Sequence, residues 1–233
     1  MLEAEFDRFA QEYEAQHAAS IRLSGETPDY FAKYKIDDVA AALRRSGSTP
    51  RRILDFGAGV GNPLGHMRAA FPDAEITLLD PSAQSLEIAS KRFPGQASLM
   101  PFDGMTIPYP DGTFDLAFAA CVFHHIPQTL HERLLREIDR VLAPGGSFFV
   151  FEHNPRNPLT RHAVRNCPFD ENAILITARE MRSRMAAAGL SRARIAYRIF
   201  FPRLLSRLRP CERYLTGVPL GAQYFVHATK SLS

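Results

Sequence analysis

Cysteine is scarce in this chain: Cys121, Cys167 and Cys211 are scattered singly over 233 positions. An odd number at such wide spacing excludes a disulfide framework and offers no structural zinc pattern, so reduced thiols are expected. Long apolar runs are missing as well. No stretch approaches the roughly 20 residues a membrane-spanning helix needs, and the N-terminal region carries Glu3, Glu5, Asp7, Glu12 and Glu14 where a secretory leader would be basic and then apolar. Neither a leader nor a transmembrane segment is expected, and the cytoplasm is the expected location.

The composition that remains, 45% hydrophobic and 23% charged, suits one soluble globular domain with a sizeable core. The small net charge of +3 hides an asymmetry. Residues 1–50 hold nine acids against six bases, whereas residues 179–213 hold ten arginines against Glu180 and Glu212. A basic surface is therefore expected in the C-terminal part, where it favours anionic partners.

The most informative stretch is Ile53-Leu54-Asp55-Phe56-Gly57-Ala58-Gly59-Val60-Gly61-Asn62. An apolar run interrupted by one acid reads as a buried strand, and alternating glycines read as a tight turn into a helix opened by Asn62-Pro63. Glycine permits positive φ and close approach of a ligand, and the free N–H groups of a helix start attract a carboxylate or phosphate. The dinucleotide fingerprint, G-x-G-x-x-G, would place its last glycine at Asn62, so a nicotinamide or flavin dinucleotide is not indicated. The order here is D-x-G-x-G-x-G.

Further strands follow at regular intervals. Glu75 to Asp80 is a second buried strand, with an acid at its carboxyl end nineteen residues beyond Gly61, where an acid accepts hydrogen bonds from ribose hydroxyls. A helix from about Ser82 to Phe93 leads to a third strand and the loop Phe102-Asp103-Gly104-Met105. Next, Ile107-Pro108-Tyr109-Pro110-Asp111-Gly112-Thr113-Phe114-Asp115 introduces a fourth strand that ends in Cys121-Val122-Phe123-His124-His125-Ile126-Pro127. Leu130, Leu134, Leu135, Ile138, Val141 and Leu142 mark an amphipathic helix stopped by Ala143-Pro144-Gly145-Gly146, and Ser147 to Glu152 form a fifth strand. Strands alternating with helices argue for a mostly parallel sheet covered on both faces.

Taken in order, the glycine turn, Asp80, the Pro-aromatic run ending in Phe-Asp, and the Leu-x-Pro-Gly-Gly turn resemble the class I methyltransferases that use S-adenosylmethionine (SAM). The resemblance spans roughly residues 50–153. It implies an α/β, Rossmann-like fold with a mostly parallel seven-stranded sheet, helices on both faces and an antiparallel last strand. It further implies SAM binding by Asp55, Gly57, Gly59, Gly61, Asp80 and the adjoining Pro81, adenine contacts from Asp103, Gly104 and Met105, and a cofactor-side place for Cys121. His125 aligns with a histidine that recurs in small-molecule members.

Glu152 and His153, at the end of the fifth strand, join His125 as candidate general bases, or else they satisfy backbone groups of an irregular loop. No ligand spacing supports a metal site. Residues 1–45 carry aromatic residues at helical spacing, among them Phe6, Phe9, Tyr13, Tyr30 and Tyr34. The bland account is packing on the main domain, 46–233; the resemblance implies a lid that places Tyr13, His17, Tyr30 or Tyr34 near substrate. Two strands near 193–201 and 223–229 flank an insertion at 202–220, where Leu204, Leu205 and Leu208 alternate with Arg203, Arg207 and Arg209 as in a basic amphipathic helix.

The implied function is methyl transfer to a small-molecule acceptor, with oxygen preferred and an anionic group on the acceptor favoured by the basic insertion. S-adenosylhomocysteine (SAH) would be the product. A nucleic-acid methyltransferase or a non-catalytic SAM-binding protein are the alternatives. Against the first stands Ala119-Ala120-Cys121-Val122, where an Asn-Pro-Pro-aromatic motif would be expected.

Overall fold

A computed structural model of the chain describes residues 21–232. Strands β1 (Arg52–Phe56), β2 (Glu75–Asp80), β3 (Ser98–Pro101), β4 (Phe114–Ala120), β5 (Leu142–His153), β6 (Arg194–Arg198) and β7 (Gln223–Thr229) form one seven-stranded sheet in the order β3-β2-β1-β4-β5-β7-β6. Pairing is parallel from β3 across to β5, whereas β7 runs antiparallel to both β5 and β6. This is the sheet expected from the sequence. β5 starts earlier than expected: Leu142 already pairs with Phe114, and a register shift between Phe114 and Leu116 absorbs the Pro-Gly-Gly turn.

Alternation along the strands builds two cores. Leu54, Phe56, Ala117, Ala119, Phe148 and Val150 face one side, where α4 (His131–Val141) contributes Leu134, Leu135 and Ile138 and α6 (Ala178–Ala187) contributes Met181 and Met185. Ile53, Ile76, Leu78, Phe118, Phe149 and Phe151 face the other, against α1 (Pro28–Ser46), α2 (Leu64–Ala70) and α3 (Ala83–Arg92). Side chains such as Phe148, Phe149 and Phe151 are wholly removed from water, each worth roughly 1.5–3 kcal/mol of burial. Among the described residues no helix is long and apolar enough to cross a membrane.

The helix α1 has two parts with different duties. It begins at Thr27, whose hydroxyl accepts from the Tyr30 amide, with Pro28 in the first turn, and ends at Gly47 with φ 68°. Its later half presents Ile36, Val39, Ala40 and Leu43 at helical spacing to the sheet, as the bland account expected. Its earlier half, Phe31, Ala32 and Lys35, lines a cavity. Phe6, Phe9, Tyr13 and His17 lie outside the described residues.

The basic insertion is not an α-helix. Arg203–Tyr214 is 3₁₀-helical with a break at Leu205 and Pro210 inside it, and Leu204, Leu205 and Leu208 are exposed rather than packed on the sheet edge. The proline removes a backbone donor, and the tighter repeat spreads the arginines around the segment. It is fastened by Glu212, which accepts from the Phe200 and Phe201 amides at 3.1 and 3.0 Å, and by an Arg209–Glu26 ion pair. Nearby, Arg198 at the end of β6 grips Asp38 of α1 through two hydrogen bonds.

The order of strands reverses between β1 and β4, and their carboxyl ends open a crevice there. Gly57 closes it from below: φ is +70°, and a Cβ at this position would stand 2.6 Å from both Val122 methyl carbons. Gly57→Ala is therefore expected to lower stability by at least about 1 kcal/mol. Equilibrium urea unfolding checks this, and an unchanged midpoint would contradict it.

Candidate functional site

A cavity of about 270 Å³ lies at that crevice. Its lining includes Asp55, Gly57, Ala58, Gly59, Val60 and Asp80 from the glycine-turn side of the sequence and Cys121, His124, His125, His153, Asp170 and Gln223 from later segments. Three of the expected glycines have distinct duties. Gly57 leaves room for Val122, and Gly61 leaves room for Ala89 of α3, 3.2 Å from an added Cβ. An added Cβ at Gly59 would meet nothing within 4 Å, and its φ is +52°. Its backbone therefore faces the cavity bare, as a ligand that approaches the main chain requires.

Asp80 shapes the turn. One oxygen accepts from the Gly59 amide and the other from the Ser82 amide, both at 2.8 Å, which ties the end of β2 to the glycine loop. Asp55 is different: it is 2% exposed, and its Oδ2 has no hydrogen-bond partner. Burial, reinforced by the negative charge of Asp80, raises its carboxyl to about 8. A buried orphan oxygen lining a cavity is what a cationic group of a ligand would satisfy.

The histidine-bearing part of the lining hangs on Glu152, which is fully buried. Its Oε1 accepts from the Val122 and Phe123 amides at 3.2 and 2.8 Å, and its Oε2 accepts from His124 Nδ1. The chain turns sharply here, with Cys121 at φ 59° and its amide bonded to the Phe151 carbonyl. Burial would push the Glu152 carboxyl up, but the charge and hydrogen bond of His124 outweigh it and hold it below the usual range. Burial likewise opposes a charge on His124, and Glu152 prevails, raising that imidazole well above its ordinary value.

His125 and His153 are neutral neighbours of this ion pair. Burial and then the His124 charge depress His125 to about 3 and His153 to about 4. Asp170, from the 3₁₀ turn Pro168–Asp170, places Oδ1 3.4 Å from both His124 Nε2 and His125 Nε2. At that length the His124 Nε2 contact is an ion-pair distance rather than a hydrogen bond, and the nitrogen has no hydrogen-bond partner. A second chain of contacts runs from Tyr34 of α1, which donates to Gln223 Oε1, to Gln223 Nε2, which lies 3.4 Å from His153 Nδ1.

The structure thus gathers Asp55, Gly57, Gly59, Asp80, Cys121, His125 and His153 around one cavity. Gly61 supports the loop from behind. Pro81, Asp103, Gly104 and Met105 do not line it. One oxygen of Asp103, Oδ1, accepts from the Met105 and Thr106 amides at 2.8 Å each, closing a local turn. Glu152 does not reach the cavity either, being consumed by backbone amides and His124. Residues that motif spacing did not single out are Lys35, His124, Asp170 and Gln223.

Residues 54–150 match the family model of a methyltransferase domain. Over these residues the chain is similar to class I SAM-dependent methyltransferase domains. Over 153 residues it is 34% identical to trans-aconitate 2-methyltransferase of Methylobacterium nodulans, covering 64% of this chain and 53% of that enzyme. Over 117 residues it is 34% identical to a ubiquinone/menaquinone biosynthesis C-methyltransferase of the same organism, covering 48% of this chain and 46% of that one. The chain spans about half the length of the curated relatives it matches. Among solved structures, a SAM-dependent methyltransferase of Thermotoga maritima, a possible histamine N-methyltransferase, superposes with TM-score 0.70 over 99% of this chain and 100% of that one at 22% identity. Human N-acetylserotonin methyltransferase in complex with SAM gives 0.60 over 92% and 58% at 21% identity. At these identities the likeness of structures is a likeness of fold.

The cavity fits SAM as a cofactor: the bare Gly59 backbone and the Asp80 carboxylate suit an adenosyl group, and the orphan Asp55 oxygen suits an ammonium. Asp55 also has a consequence for the unliganded protein. Its folded pKa of about 8 exceeds the unfolded value, near 3.9. Between the two, the native state keeps a proton that the unfolded chain has released, so stability falls as pH rises through that window. Asp55→Asn, with no charge to bury, should gain about 1–3 kcal/mol over wild type at pH 8, and the gain should shrink toward pH 5. Urea unfolding across that range tests it; a pH-independent difference would contradict a protonated Asp55.

Proposed function

We propose that this protein transfers the methyl group of SAM to a small-molecule acceptor, an oxygen in preference to nitrogen or carbon, and that the acceptor bears an anionic group. The observation that carries this reading is the single cavity that joins the glycine turn, Asp55 and Asp80 to His125 and His153. When bound, SAM supplies an electrophilic methyl on a sulfonium; the protein's part is to hold the acceptor atom close and in line, and to exclude water. Asp80 would hold the ribose hydroxyls and Asp55 the ammonium.

His125 and His153 are uncharged at neutral pH and so can accept a hydrogen bond from an acceptor hydroxyl, which fixes the lone pair that attacks. Their depressed basicity makes them poor at removing a proton beforehand. It does not prevent them from taking one late, because a hydroxyl oxygen becomes strongly acidic as it gains the methyl.

Lys35 supports the anionic acceptor. It is 6% exposed, it lines the cavity, and its ammonium lies 5.3 Å from the Tyr34 ring centroid and 6.0 Å from that of Phe31. Among the described residues no carboxylate forms an ion pair with it. Burial lowers its pKa, and an acidic acceptor would offset that cost. One relative is named for such an acceptor, trans-aconitate.

SAM and SAH should bind with a dissociation constant roughly in the micromolar range, near −8 kcal/mol. Asp80→Ala should weaken them by about 1–3 kcal/mol; calorimetry showing NAD binding instead, or no loss in Asp80→Ala, would overturn the cofactor assignment. With an acceptor in hand, His125→Ala and His153→Ala are measured for turnover, and at least one should fall roughly a hundredfold while SAM affinity holds. Full activity in both would remove the base role. Lys35→Met should raise the Michaelis constant for an acidic acceptor about tenfold or more, with no effect if the acceptor is neutral.

A further inference from the structure

The cavity wall contains a group of donors of which the proposed methyl transfer uses only His125, and a metal held at His125 Nε2 would leave His153 as the base. One donor atom from each of His124, His125 and Asp170 lies within 4.8 Å of the other two, and all three residues line the cavity. His124 Nε2 and His125 Nε2 are each 3.4 Å from Asp170 Oδ1. Two donors each about 2.1 Å from a tetrahedral zinc ion stand about 3.4 Å apart, so both spacings are those of ligands to one small cation.

Two independent observations point the same way. His124 Nε2 belongs to a ring 2% exposed and has no hydrogen-bond partner, although it borders the cavity. Its other nitrogen donates to the Glu152 carboxylate, the outer contact that orients a ligating imidazole and increases its donor strength. Asp170 is held in place separately: its amide bonds to the Cys167 carbonyl at 3.0 Å, and the Ile174 amide just beyond it bonds to the His124 carbonyl at 2.9 Å.

We propose that His124, His125 and Asp170 form a binding site for one divalent transition-metal ion of the zinc class, with Glu152 as the positioning residue behind His124. Two imidazoles and one carboxylate leave a coordination position open, and here it opens on the cavity. Binding displaces the proton of His124 Nε2 to solvent and leaves the net charge of the pocket one unit more positive. A hydroxyl, carboxylate or water oxygen in the cavity would complete the shell.

Sequence spacing gave no sign of this site, because Asp170 lies 45 residues beyond His125 and only the turn after α5 (Pro158–Arg165) returns it. The proposal goes beyond methyl transfer and does not depend on it: metal binding is read on the protein alone, whether or not SAM binds.

The experiment is calorimetric titration of the chelator-treated full chain with ZnCl₂, paired with the visible absorption spectrum on adding CoCl₂. Wild type should take up one equivalent of Zn²⁺ and give the intense visible bands of four-coordinate Co²⁺. Asp170→Asn and His125→Ala should each weaken Zn²⁺ at least tenfold and abolish those bands, while His162→Ala, at an exposed histidine, should match wild type. Circular dichroism confirms that each variant is folded. No stoichiometric binding by wild type, unaltered binding in both folded variants, or an equal loss in His162→Ala would overturn the site.

Discussion

Glu152 is the constraint on which the active face of this protein depends. A carboxylate with no exposed surface cannot be left unpaired at a cost of several kcal/mol, so its neighbours are obliged to serve it. Two backbone amides after β4 turn toward it, and the imidazole of His124 completes the set. That arrangement bends the chain directly after Ala120, gives Cys121 its left-handed backbone, and sends His125 toward the cavity. Glu152 thus builds the site from behind, and its neighbour His153, one step further along β5, lines the cavity.

The same economy operates on the cofactor side. Asp80 shapes the glycine loop through the Gly59 amide, and the loop in turn exposes bare backbone at Gly59, whose φ of +52° favours glycine. Asp55 stands apart as a carboxyl whose environment disfavours its charge until a cation arrives. The proposed contact with the cofactor ammonium would tie binding to the electrostatics of the empty fold: what is destabilising in the free protein would become favourable in the complex. α1 connects the two sides, since its later half is part of the core while Lys35 enters the cavity.

Much of this was legible in the sequence, and the rest was not for identifiable reasons. The strands and helices from β1 to β5 follow from alternation and helical spacing, and the glycine turn with Asp80 follows from backbone chemistry that only glycine and a strand-end acid supply. Those signals are local. The insertion at 202–220 misled because leucines and arginines four apart look helical, yet Pro210 and the caps from Glu212 to Phe200 and Phe201 favour a 3₁₀ path with the leucines outside. A strand-end acid before glycine suits both a turn and a binding loop, and one oxygen of Asp103 closes such a turn outside the cavity lining. The pairing of His124 with Glu152 and with Asp170 joins residues 28 and 46 positions apart, and no local pattern encodes a contact made by the sheet and a distant turn.

The central claim is that one cavity holds the cofactor at its glycine end with the reacting sulfur facing the histidines. A crystal structure of the protein soaked with SAH tests it most directly. The account requires density for the adenosyl group beside Asp80 and Gly59, with the sulfur directed toward His125 and His153 so that an acceptor atom fits between them. Density outside this cavity, or a sulfur directed away from both histidines, would contradict it.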